Sequence, residues 1–67
     1  PESEGLNVCL GTHYMNQGRF AEALRILHRF EQSPQALHHI ALCYQALGDA
    51  KQEAVFRDRA RSLENRS

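Results

Sequence analysis

Leu37-His38-His39-Ile40-Ala41-Leu42-Cys43-Tyr44-Gln45-Ala46-Leu47-Gly48 is the stretch whose reading decides the fold. Leu37, Ile40, Ala41, Tyr44 and Leu47 recur at the three-four spacing of one helical face, and a glycine follows where the helix would stop. Part of the stretch has already occurred 30 residues earlier, because Leu10-Gly11 matches Ile40-Ala41, Tyr14 matches Tyr44 and Gly18 matches Gly48. Each matched position keeps its size class: aliphatic, tiny, aromatic, glycine. An echo of fixed period with those chemistries predicts stacked helical hairpins rather than one irregular bundle.

Outward from that stretch, Leu6 to Gln17 reads as a first helix with Leu6, Leu10, Tyr14 and the small Gly11 on one stripe. Mid-helix glycine costs about 1 kcal/mol relative to alanine, so Gly11 is expected where another helix crosses closely. Gly18 supplies a left-handed helix end. Phe20 to Gln32 is the second helix, with Phe20, Ala23, Leu24, Leu27 and Phe30 on a single face. The turn before it is so short that the two helices must run antiparallel. Ser33-Pro34 then supplies a capping hydroxyl and a first-turn proline. The third helix follows from Pro34 to Leu47, and Gly48-Asp49 breaks it.

The fourth helix, Ala50 to Leu63, is the least apolar. It carries Ala54, Phe56, Ala60 and Leu63, but Glu53 and Arg57 stand where the second helix has Ala23 and Leu27. At i,i+4 these two can pair on the surface for a few tenths of a kcal/mol. A polar outer helix is what a terminal repeat needs for solubility. Pro1 to Gly5 and Glu64 to Ser67 are expected to fray. The fold class expected is all-α: one domain over 1–67 with four helices in two antiparallel helix-turn-helix repeats, about 6–32 and 34–63. They would form a short right-handed superhelical array with a concave groove.

Composition narrows the function. A chain of 67 residues buries only about 60% of its unfolded surface, so a binding partner can add much to its stability. Eight basic and eight acidic residues cancel, which removes the electrostatic reason to expect nucleic acid or an anionic membrane. No apolar run approaches the roughly 20 residues that span a bilayer. Cys9 and Cys43 fall inside helices without a paired framework, as reduced structural thiols of a cytosolic protein do. Arg57, Arg59 and Arg61 are interleaved with Asp58 and Glu64, the pattern of a solvated face. No nucleophile-base set, phosphate loop or carboxylate pair indicates an enzyme. His39 and Cys43 are spaced to bind a metal side by side, but His13 and His28 lie on other helices and nothing makes them converge. No metal or cofactor is expected.

Leu42 needs its own explanation. It lies nearly opposite the Leu37, Ile40, Ala41, Tyr44 and Leu47 stripe, with His38 and Gln45 on its flank. The corresponding flank of the first helix carries Val8, Thr12, Met15 and Asn16. In a stacked array the first helices of successive hairpins line the concave surface. Val8, Met15 and Leu42 would then form an apolar strip within a polar rim of Thr12, Asn16, His38 and Gln45. Such a groove suits an amphipathic helix, and methionine suits a surface that adapts. Val8 and Met15 could instead cover further chain, and single exposed apolar residues are ordinary.

These residues resemble the tetratricopeptide repeat (TPR) family, whose pattern is W-x2-L-G-x2-Y, then A-x3-F, then P. Leu10, Gly11, Tyr14, Gly18, Phe20 and Ala23 fit it, Asn7 replaces the tryptophan, Leu27 stands for the phenylalanine, and Pro34 comes one place early. The second unit has Leu37, Ile40, Ala41, Tyr44 and Gly48, but departs at Glu53 and Arg57. The 30-residue period is shorter than the family's roughly 34. More narrowly, Asn16-Gln17-Gly18-Arg19-Phe20-Ala21-Glu22-Ala23-Leu24, with Ala36-Leu37 and Ile40-Ala41-Leu42-Cys43, resembles the TPR-like chaperones of type III secretion needle subunits. That resemblance implies a protein of the bacterial cytoplasm that holds the needle subunit's C-terminal amphipathic helix in its groove and prevents premature polymerisation. It also implies a second small helical co-chaperone. The alternative is a generic TPR scaffold, which would bind an extended peptide or C-terminal tail through basic or amide clamps. No lysine or arginine occupies the groove positions here.

Overall fold

A computed structural model describes residues 4–66 of the chain. Fraying expected at Pro1 to Ser3 and at Ser67 falls outside the described residues. The protein is all-helical, in the order α1 (Glu4–Asn16), α2 (Phe20–Leu27), a 3-10 turn (His28–Phe30), α3 (Pro34–Leu47) and α4 (Ala50–Arg66). Each helix packs on the next in sequence, and α1 also touches α3. The Cα envelope measures 33 × 32 × 14 Å. Its short dimension is that of two helix layers, about 9 Å between axes plus one Cα cylinder of about 4.6 Å.

The turns that follow α1 and α3 have the same geometry. After α1, Gly18 adopts φ +78, its N–H donates to Met15 O at 3.0 Å, and the Arg19 N–H donates to Tyr14 O at 2.9 Å. After α3, Gly48 adopts φ +81, its N–H donates to Gln45 O at 3.1 Å, and the Asp49 N–H donates to Tyr44 O at 2.9 Å. Each is a Schellman ending, which satisfies carbonyls that the helix leaves unpaired. Arg19 O and Asp49 O then accept the first bonds of α2 and α4, from the Ala23 and Glu53 amides. The echo seen in the residues is therefore also an echo of backbone hydrogen bonds.

The second helix is shorter than its pattern predicts. It passes at His28 into the 3-10 turn, and at Ser33 the chain is extended (φ -98, ψ 123). The residue before proline is driven out of the helical region, so no helix can run through Ser33-Pro34. The Ser33 hydroxyl accepts from the Ala36 amide at 3.4 Å, and Pro34 opens α3. Conversely, α4 runs past the expected Leu63 to Arg66.

The core is centred on α3, with Ala36, Leu37, Ile40, Ala41 and Cys43 buried. Ala23 and Leu27 of α2, Phe56 and Ala60 of α4, and Val8 of α1 complete it. Three expectations need correction. Leu6 and Leu10 face outward, 72% and 43% exposed, and α1 turns Val8 and Gly11 inward instead. Apolar residues surround α1, so its pattern selects no side. What selects it is Gly11, where an added Cβ would lie 2.9 Å from Cγ and Cδ2 of the fully buried Leu27. The second correction concerns α3, where Leu47 is 53% exposed and Cys43 is fully buried. Leu47 is the last residue before the turn, whereas Cys43 continues the Ala36 and Ile40 line beneath α3. Finally, Ala54 is exposed; Phe56, Ala60 and half-buried Leu63 form the inner side of α4.

A cluster of aromatic and charged side chains fastens α4. The Phe56 ring stacks on Tyr44 at 5.6 Å and meets the His28 edge at 5.3 Å. Arg59 lies over Phe56 at 5.0 Å and donates to Glu31 at 3.0 Å. Glu53 and Arg57 pair on the surface.

Gly11→Val should lower stability by about 2 kcal/mol, the usual scale of overpacking in a close helix contact. For a domain this size, that shifts the melting midpoint by roughly 8–16 °C. Thermal unfolding followed by circular dichroism checks it.

Candidate protein-binding surface

The seven groove residues expected from sequence do not share one environment. Val8 is only 7% exposed and belongs to the core, so the expectation that it forms an open apolar strip with Leu42 is corrected. Its burial follows from the rotation of α1 that Gly11 imposes. Met15 is half-buried and packs against the core. Thr12 is half-buried, and its hydroxyl donates to Val8 O at 3.0 Å, leaving the Oγ1 lone pairs available to a partner. Asn16, His38 and Gln45 are exposed, and Leu42 is 39% exposed.

Between the first helices of the two hairpins lies a cleft of about 370 Å³. Gly5, Val8, Cys9 and Thr12 of α1 line one side, and Gln35 and His39 of α3 line the other. Gln35, His39 and Leu42 fall at i, i+4 and i+7, so Leu42 continues this face of α3 beyond the cleft. His38 instead lines a neighbouring cavity with Pro34, Gln35, His39 and Glu64. Of the expected residues, Val8 and Thr12 line this cleft and Met15, Asn16, His38, Leu42 and Gln45 do not, whereas Gly5, Cys9, Gln35 and His39 do. Placing those four required the α1 rotation, which no local pattern specifies.

His39 Nδ1 lies 2.7 Å from Gln35 O, an acceptor that assigns the proton to Nδ1 and leaves Nε2 facing out as an acceptor. His39 and Cys43, spaced for a shared metal, are separated by burial: the thiol is inside the core and the imidazole lines the cleft. Among the described residues, no three His, Cys, Asp or Glu side chains group to hold a metal ion. His28 is the histidine whose role the pattern did not indicate. Its Nδ1 meets Glu31 at 2.8 Å and its Nε2 meets the Tyr44 hydroxyl at 3.4 Å, so it joins the 3-10 turn to α3.

Burial pushes the Cys43 thiol up to about 11 from an ordinary 9.0. The folded value lies above the unfolded one, so the neutral thiol contributes stability below pH 9.0, and that contribution is lost as pH rises toward about 11. Cys9 is exposed.

No family model matches the chain, and no curated protein or solved structure matches it with significance. No helix among the described residues is long and apolar enough to cross a membrane.

A thiol reagent at pH 8 should modify Cys9 within the folded protein and reach Cys43 only after unfolding in guanidinium. The stability difference between the parent chain and Cys43→Ala should shrink between pH 9 and 11. A chromogenic thiol titration and pH-dependent denaturation test the two statements.

Proposed function

We propose that this protein is a TPR-like binding module whose α1–α3 cleft holds an amphipathic helix. The observation that carries the reading is this cleft, formed between the first helices of two hairpins that end in the same hydrogen-bonded turn. In a repeat array, the corresponding helices of successive hairpins line the binding surface. Val8 supplies an apolar floor, Leu42 an exposed apolar contact, and Thr12, Gln35 and His39 supply groups that can bond a helix's polar flank. The cleft lining contains no Asp, Glu, Lys or Arg, which favours an apolar helix over a carboxylate-terminated tail.

The partner class follows from the resemblance of Asn16 to Leu24 and of Ala36 to Cys43 to needle-subunit chaperones. On this reading the ligand is the C-terminal amphipathic helix of a type III secretion needle subunit. The protein acts in the bacterial cytoplasm, sequestering that helix against premature polymerisation together with a second small helical co-chaperone. The closing turns at Gly18 and Gly48 support the TPR-like arrangement.

Leu42→Asp should leave the far-ultraviolet circular dichroism unchanged and abolish capture of a co-expressed needle subunit. A stable 1:1 complex with the parent chain supports the chaperone reading. Binding confined to peptides with a free C-terminal carboxylate would favour the scaffold alternative, and lost helicity in the variant would remove the assignment of Leu42 to the binding surface.

A further inference from the structure

We propose that the α1–α3 cleft selects a helix carrying a neutral amide, glutamine or asparagine, on the flank that enters it, and that Thr12 and His39 make the selection. The proposal rests on the reading that this cleft holds an amphipathic helix, and adds which polar side chain that helix must bring. Thr12 stands on the α1 wall of the cleft and His39 on the α3 wall. Both side chains are half-buried.

Each of the two has already committed its hydrogen. Thr12 Oγ1 donates to Val8 O at 3.0 Å, within α1. His39 Nδ1 donates to Gln35 O at 2.7 Å, within α3, so in the neutral ring Nε2 is an acceptor. Neither side chain has a further hydrogen-bond partner among the described residues. Each wall therefore offers an accepting atom and no hydrogen. The rest of the lining leaves that balance alone: Gly5 and Val8 bring no polar side-chain atom, and the Cys9 thiol is a weak donor and a weak acceptor. The exposed Gln35 amide carries both kinds of group and turns to suit either partner.

A helix laid in the cleft covers these acceptors, and an acceptor buried without a donor costs about 1–3 kcal/mol. A carboxylate brings only further acceptors. An ammonium brings donors, but no Asp or Glu lines the cleft to balance its charge, and covering an unpaired charge is costly. A serine or threonine hydroxyl has one hydrogen, which in a helix bonds readily to the carbonyl four residues back, as that of Thr12 does. The side-chain amide brings two N–H groups and no charge, which is the complement of two neutral acceptors.

The test uses the full chain at pH 8, above the range in which histidine takes up its proton, and two labelled helical peptides of five turns, about 18 residues. Both carry leucine at i, i+3, i+4 and i+7. They differ at two positions flanking that stripe, glutamine in one and glutamate in the other, residues of nearly equal helix propensity. Fluorescence anisotropy should show the glutamine peptide binding at least about tenfold tighter. The preference should hold at low and high salt alike, because hydrogen bonding at contact rather than net charge sets it. Thr12→Val and His39→Phe remove the accepting atoms and keep similar shapes. Each should cut the preference to about threefold or less while circular dichroism is unchanged. Leu42→Asp should abolish binding of both peptides. Equal affinity for the two peptides, both lost in Leu42→Asp, overturns the amide selection and leaves the cleft reading in place. A glutamine preference that survives in both variants, or that disappears at high salt, also overturns it. If neither peptide binds, the cleft does not hold a helix of this pattern and both readings fall.

Discussion

Leu27 lying against the bare backbone of Gly11 is the contact on which the arrangement depends. Leu27 is fully buried, and a side chain at position 11 would begin 2.9 Å from its Cγ. Without a Cβ there, α1 and α2 approach closely and α1 can take only one rotation about its axis. Val8 and Met15 then turn toward the core, and Leu6 and Leu10 turn away. At the matched place in the second hairpin the requirement is relaxed: position 41 carries a methyl, and the residue matching Leu27 is the exposed Arg57. The two hairpins thus share their turns while their helix contacts differ.

That difference explains how α4 is held. It lacks an aliphatic residue in place of Leu27 and attaches through Phe56 and Ala60, one helical flank away. Phe56 stacks against Tyr44 and is bordered by His28 and Arg59, so its attachment combines apolar burial with aromatic and cation–π contacts. Glu31 is bonded to both His28 and Arg59 and links the 3-10 turn to α4. His28 and Glu31, three residues apart, both join this cluster.

What sequence revealed and what it concealed divide along a physical line. Helix existence, the glycine ends and the Ser33-Pro34 start were legible, because each depends on residues within one turn of chain. The Glu53–Arg57 pair was legible for the same reason. The side of α1 that faces the core was not, since Leu6, Val8, Leu10 and Met15 surround the helix and periodicity gives no preferred direction. Cys43 escaped because α3 is contacted from several sides and buries a wider arc than one stripe. Bonds such as His28 to Tyr44, 16 residues apart, follow from packing and leave no local trace. Around the candidate surface, the exposure of Leu42 and the half-burial of Thr12 agree with their angles on the helix. Gln35 and His39 could be placed beside α1 only once its rotation was known.

The same rotation gives the molecule its polarity. One edge ends in α4, where eight of 17 residues are charged and water is an adequate neighbour. The other ends in α1, which from Gly5 onward carries no Asp, Glu, Lys or Arg, and exposes two leucines. A repeat array needs a polar face only where it stops. The outer face of α4 is polar, whereas that of α1 is apolar. A domain of 67 residues has little stability to spare, and any partner that binds only the folded state raises it by mass action. The cleft and the α1 edge lie on opposite flanks of one helix, whose rotation Gly11 fixes.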